Sequence, residues 1–115
     1  MAKVFGIHMI GLRPGVKGED FERFFREKVS PLPRLSGMKV YLLKGDRGDR
    51  EGKYLVMLEQ EIETRDRLFP LNAPPSAEMQ QFFDTHQGVF AEWDKLASPI
   101  GAPTIFTDYV VVAEW

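Results

Sequence analysis

Four stretches of this chain are apolar on both sides of the strand each would form: KVFGIHMIGL from Lys3, MKVYLLKG from Met38, KYLVMLEQE from Lys53 and IFTDYVVVAEW from Ile105. Successive side chains of a strand point to opposite faces, so a sheet with one wet face alternates apolar and polar residues. Here Val40 to Leu43, Tyr54 to Leu58 and Tyr109 to Ala113 run without a charged break. Both faces of such a sheet must be covered. The chain offers two substantial helical segments, enough for one face. The other face needs a partner, and the simplest is a second copy, so a homodimer through the sheet faces is expected.

At 115 residues the chain is read as a single domain spanning 1–115. A formal net charge of -2 gives no electrostatic footprint for nucleic acid or an anionic membrane surface. Cysteine is absent, which excludes disulfides, Fe–S ligation and thiol catalysis. No apolar run approaches the roughly 20 residues that span a bilayer. The start MAKVFGIHM does not read as a signal peptide. A soluble, cytoplasmic protein with neither nucleic-acid nor membrane partner is expected.

Along the chain, a Pro/Gly connection, LRPGVKGED, leads into a helix with Glu19 and Asp20 in its first turn, where negative charge suits the helix dipole. Phe21, Phe24, Phe25 and Val29 form its apolar stripe, and Ser30-Pro31-Leu32-Pro33 stops it. Gly45 to Gly52 reads as the loop of a hairpin between the second and third strands. The Arg47-Gly48-Asp49 triplet within it reads as a solvated tip. Ile62 to Pro75 is irregular, with one or two helical turns at Thr64 to Phe69. Ser76 is the expected N-cap of a second long helix, about Ala77 to Ala97. Its stripe of Met79, Phe82, Phe83, His86, Val89, Phe90, Trp93 and Leu96 should be core, and Ser98-Pro99-Ile100-Gly101 should end it. The order is βαββαβ, the α+β, ferredoxin-like pattern: a four-stranded antiparallel sheet with two helices on one face.

RPGVKGEDFERFFREKVSPLPRLSGMKVYLLKG, Arg13 to Gly45, resembles the dimeric α/β-barrel superfamily, nearest its EthD-like and antibiotic-biosynthesis-monooxygenase-like branches. The shared features are the Pro-Gly connection, the FxxFFRE helix, the Pro-Leu stop and the strand opened by Gly37. The resemblance implies two sheets packed face to face and a small-molecule pocket between sheet and helices in each protomer. It also implies cofactor-independent oxygenases, lactone isomerases, haem-degrading oxygenases or proteins without activity. Val29 stands where EthD-like sequences carry His, and His8 stands where haem-degrading members carry Asn, so no catalytic residue is carried over.

The candidates for chemistry therefore come from the residues themselves. His86, amid an aromatic stripe, is the first candidate for a general base, since imidazole titrates near working pH. His8 shares a strand face with Gly6, and glycine inside a strand often marks close approach. Asp108 interrupts the apolar fourth strand, and a buried carboxylate there needs a partner, for which His8 is suited. Tyr41, Tyr54, Phe83, Phe90 and Trp93 are expected to wall a pocket for a small apolar, aromatic or polyketide-like ligand. No metal-ligand spacing and no phosphate-binding or dinucleotide motif is present, and neither metal nor cofactor is expected. Three functions fit: proton abstraction in a cofactor-independent oxygenase or isomerase, non-catalytic binding of a hydrophobic ligand, and haem binding or degradation.

Overall fold

The computed structural model describes residues 2–98 and 106–115. Strand β1 is Lys3–Ile10, β2 is Met38–Lys44, β3 is Tyr54–Glu61 and β4 is Phe106–Val110. Helix α1 is Gly18–Phe24, and a π turn over Phe25–Val29 continues it. Helix α2 is Ile62–Leu68, α3 is Ala77–Thr85 and α4 is Gln87–Leu96. The class is α+β: among the described residues there is one antiparallel sheet in the order β2-β3-β1-β4, with four helices rather than the two expected.

The register separates the two faces. Ile10 pairs with Tyr54, His8 with Val56 and Phe106, Gly6 with Leu58 and Asp108, and Val4 with Gln60 and Val110. This face carries the helices: Ile10, Tyr54 and Val56 pack with Phe21, Phe24, Phe25 and Trp93 into the main core. Met38, Leu68 and Met79 form a second cluster beside it. Burial of this set removes several large side chains from water, each worth about 1.5–3 kcal/mol. The opposite face holds Phe5, Ile7 and Met9 of β1, Tyr41 and Leu43 of β2, Leu55 and Met57 of β3 and Tyr109 of β4. Among the described residues no helix packs there, and Tyr41, Leu43 and Tyr109 are exposed.

Three expectations need correction. The second long helix is interrupted at His86, whose φ of -112° and ψ of 25° leave the helical region. Thr85, His86, Gln87 and Gly88 include weak helix formers, and the ladder restarts where Val89 N–H donates to the His86 carbonyl. Phe83, expected in the core, is 39% exposed, while its neighbour Phe82 packs against the Met38, Leu68 and Met79 cluster. The fourth strand ends at Val110 rather than running to Trp115. Its partner β1 begins at Lys3, whose carbonyl takes the last bond from Val111 N–H, so among the described residues Val112 to Trp115 have no strand to pair with. The irregular segment holds the expected short helix: α2 has 7 residues, about two turns, and starts at Ile62 rather than Thr64. The helix stop at Pro99 to Gly101 and the strand start at Ile105 lie outside the described residues. Among the described residues, no helix is long and apolar enough to cross a membrane.

Candidate functional site

On the helix-bearing face, β1 and β4 bring His8 and Asp108 together over Gly6. A Cβ on Gly6 would lie 2.8 Å from Asp108 Oδ1, 3.6 Å from His8 Nε2 and 3.7 Å from Leu58 Cβ. Glycine is the only residue that leaves this space to the carboxylate and the imidazole. The close approach expected from a glycine within a strand is thus made by side chains of the chain itself.

His8 is 7% exposed. Its ring stacks on Phe106, with centroids 5.3 Å apart and planes inclined by 11°. Nδ1 is buried and has no hydrogen-bond partner among the described residues. Burial lowers the His8 pKa from its ordinary 6.5, and the negative charge of Asp108 only partly opposes this. The imidazole is therefore neutral at neutral pH. Among the described residues, no hydrogen bond or ion pair joins the imidazole to the Asp108 carboxylate, whose Oδ2 is taken by Arg65.

Asp108 is held from the other side by Arg65 of α2, whose guanidinium donates to Oδ2 at 2.9 Å. Arg65 also donates through Nε to Asp66 at 2.8 Å. The hydrogen bonds from Arg65 to Asp66 and Asp108 keep the guanidinium more firmly protonated than usual. Arg65 was not among the sequence candidates. Its ion pair spans 43 positions, and no local pattern announces it.

His86 lies elsewhere. It sits at the break between α3 and α4, half-buried, edge-on to Phe82 at 4.8 Å. Phe82, Phe83 and Phe90 pack edge to face against one another. The pocket candidates scatter as well. Trp93 is 1% exposed, meets Phe21, Phe24 and Phe25 edge-on, and donates its indole N–H to the Ser98 carbonyl at 2.9 Å, so it is core. Tyr54 is also buried in the core, its hydroxyl donating to Glu22 and lying against Gly18. That bond and burial push the Tyr54 pKa up to about 12, burial being the larger cause. Tyr41 stands on the opposite sheet face and donates to Glu59 at 3.2 Å. Phe83 and Phe90 remain with His86 on the helices.

Two cavities open elsewhere. One, of about 450 Å³, lies at the sheet end where Lys3, Arg34 and Lys39 face Glu59 and Glu61. Another, of about 510 Å³, lies between the start of α1 and the β2–β3 hairpin, beside Tyr54, Glu22 and Lys44. Neither is lined by His8, His86 or Asp108. Among the described residues, no cluster of three or more His, Asp or Glu side chains has the geometry to hold a metal ion. The chain matches no protein family, no curated protein and no solved structure with which it was compared.

Proposed function

We propose that the chain is a homodimeric, ferredoxin-like α/β-barrel protein that abstracts a proton from a small apolar substrate, with His8 as the base. The strand order β2-β3-β1-β4 supports the ferredoxin-like arrangement. The uncovered face supports the dimer. Phe5, Ile7, Met9, Leu55 and Met57 form its centre, while Lys3, Lys39, Glu59 and Glu61 fringe one end. A second copy of the same face would bury on the order of 1,500–2,500 Å² in total, the size of a stable interface. An apolar patch of this extent is rarely left in water.

The observation that carries the catalytic reading is the His8 imidazole, neutral, nine-tenths buried and, among the described residues, unpartnered at Nδ1. Leaving a buried polar atom unpaired costs about 1–3 kcal/mol. Such a cost is tolerated where the atom serves a ligand. A base with a lowered pKa, kept from water, suits removal of a proton from an acidic carbon or a phenol. Asp108 would stabilise the imidazolium formed. The substrate would lie along Phe106, whose half-exposed ring stacks on His8.

The test is hydrogen–deuterium exchange. A panel of 1,3-dicarbonyl compounds and polycyclic phenols in D2O is followed by NMR with wild type and with His8→Gln. Accelerated exchange of at least one compound, lost in a folded His8→Gln variant, is expected. Equal exchange with both proteins overturns the assignment of His8. The second reading, non-catalytic binding of a hydrophobic ligand, is favoured by one observation: the half-exposed aromatic group of Phe82, Phe83, His86 and Phe90. Binding without exchange, sensitive to Phe83→Ala and not to His8→Gln, would establish it instead.

A further inference from the structure

We propose that Phe106 controls access to His8: its ring covers the imidazole at rest and turns aside to admit the substrate, while the strands stay in place. This deepens the reading of His8 as the base and rests on it. A base has to touch its substrate, yet His8 is 7% exposed and its Nδ1 is buried. A neighbour must therefore move before the imidazole can act.

The register shows which neighbour is free to do so. In the plane of the sheet His8 has Gly6 and Ile10 beside it on β1, Val56 across on β3 and Phe106 across on β4. Val56 is fully buried and Ile10 is 5% exposed, and both belong to the main core. The space over Gly6 is taken by Asp108, whose Oδ1 lies 2.8 Å from where a Cβ would sit. Arg65 holds that carboxylate at 2.9 Å. Phe106 has no such anchor. It is the first residue of β4, an edge strand, and it is 51% exposed although its register puts it on the helix-bearing face. Its ring lies almost parallel to the imidazole, at 11° and 5.3 Å between centroids, and among the described residues it packs on no other aromatic ring.

Phe106 is thus held by a single stacking contact, while the other neighbours are fixed by core packing or an ion pair. Exposed side chains change rotamer within picoseconds to nanoseconds, whereas local opening of a strand takes microseconds or longer. Rotation of the ring is the easier way to uncover His8. The substrate then enters between the imidazole and the displaced ring, and the ring keeps water from the base whenever the site is empty.

Chemical modification tests this without a substrate. Diethyl pyrocarbonate acylates a neutral imidazole nitrogen that it can reach, and peptide mass spectrometry separates His8 from His86, the two histidines of the chain. In wild type His8 should react more slowly than the half-buried His86. At about pH 7.5, Phe106→Ala should speed the His8 reaction about tenfold or more with His86 unchanged, because the rate follows the fraction of uncovered imidazole. Thr107→Gly is the control: it loosens β4 from the opposite face, where Thr107 pairs with Ile7, and keeps the Phe106 ring. It should leave the His8 rate as it is. Wild-type His8 reacting as fast as His86 overturns the proposal, since the imidazole is then not covered. An unchanged His8 rate in folded Phe106→Ala overturns it as well, and so does an equal rise in Thr107→Gly, which would mean that fraying of β4 exposes the ring. Where Phe106→Ala does not fold, Phe106→Leu keeps an apolar side chain without the stack and should give a smaller rise in the same direction. Failure of both to fold makes Phe106 a structural tie between β4 and β1 and rejects the proposal. Absence of proton exchange on every compound, with His8 uncovered in Phe106→Ala, would instead sink the reading of His8 as the base and leave the cover standing.

Discussion

Replacing Gly6 by Ala tests the candidate site with one methyl group. Gly6 lies in a regular strand without positive φ, where Ala is ordinarily the better residue by about 0.5–1 kcal/mol. An empty site would thus give a more stable variant. The structure places the new Cβ 2.8 Å from Asp108 Oδ1, closer than real Cβ contacts come. The carboxylate must move, and it is tethered by Arg65 at 2.9 Å. Overpacking of this kind costs about 1–3 kcal/mol. For a domain of this size a loss of 1 kcal/mol lowers Tm by about 4 °C, so a drop of about 4–12 °C is expected. Gly88→Ala is the control. Its Cβ would meet nothing within 4 Å, and it sits in helix α4, so it should hold or raise Tm. Thermal unfolding by circular dichroism reads both. A Gly6→Ala protein as stable as wild type, or more so, with the His8 ring resonances unmoved, would refute the crowding of His8 and Asp108 over Gly6.

Burial of neutral His8 makes stability depend on pH. The unfolded chain takes up a proton near 6.5, which the folded chain binds only at lower pH, so the His8 contribution is full above 6.5 and is lost as pH falls below it. Urea unfolding at about pH 7.5 and about pH 5 should therefore show a larger loss for wild type than for His8→Gln, and a parallel loss would mean that His8 is not buried neutral. Trp93→Ala should cost about 3–5 kcal/mol in the same assay, the figure for a fully buried large side chain. Phe83→Ala should cost only about 1–2 kcal/mol, since part of its ring already meets water, and equal losses for the two would contradict the exposure of Phe83.

How much of this was legible in the sequence depends on the kind of contact. The strands were readable because unbroken apolar runs between turn residues have few alternatives, and α1 because Phe21, Phe24 and Phe25 keep helical spacing. The interruption at His86 was not, since a single residue outside the helical region leaves the spacing of Phe82, His86 and Phe90 unchanged. Nor could the stripe distinguish core from pocket wall: Trp93 and Phe83 look alike in sequence and differ by depth alone. The run Val111 to Ala113 reads as strand, but a strand exists only where a partner does, and β1 supplies none before Lys3. Asp108 takes Arg65 and not His8 as its partner. His8 and Asp108 could be placed on neighbouring strands in advance, because the βαββαβ order sets β4 beside β1. Arg65 could not, because its link to Asp108 depends on where α2 docks.

The covered or uncovered state of the second sheet face is the most direct question, and sedimentation of the chain at micromolar concentration answers it. A particle of twice the 13.2 kDa chain mass is expected for wild type. Met57→Glu, which places a charge at the centre of that face, should sediment at the single-chain mass. A wild-type protein that sediments as a stable monomer, with Phe5, Ile7, Met9 and Met57 in water, would contradict the dimer and the barrel built on it.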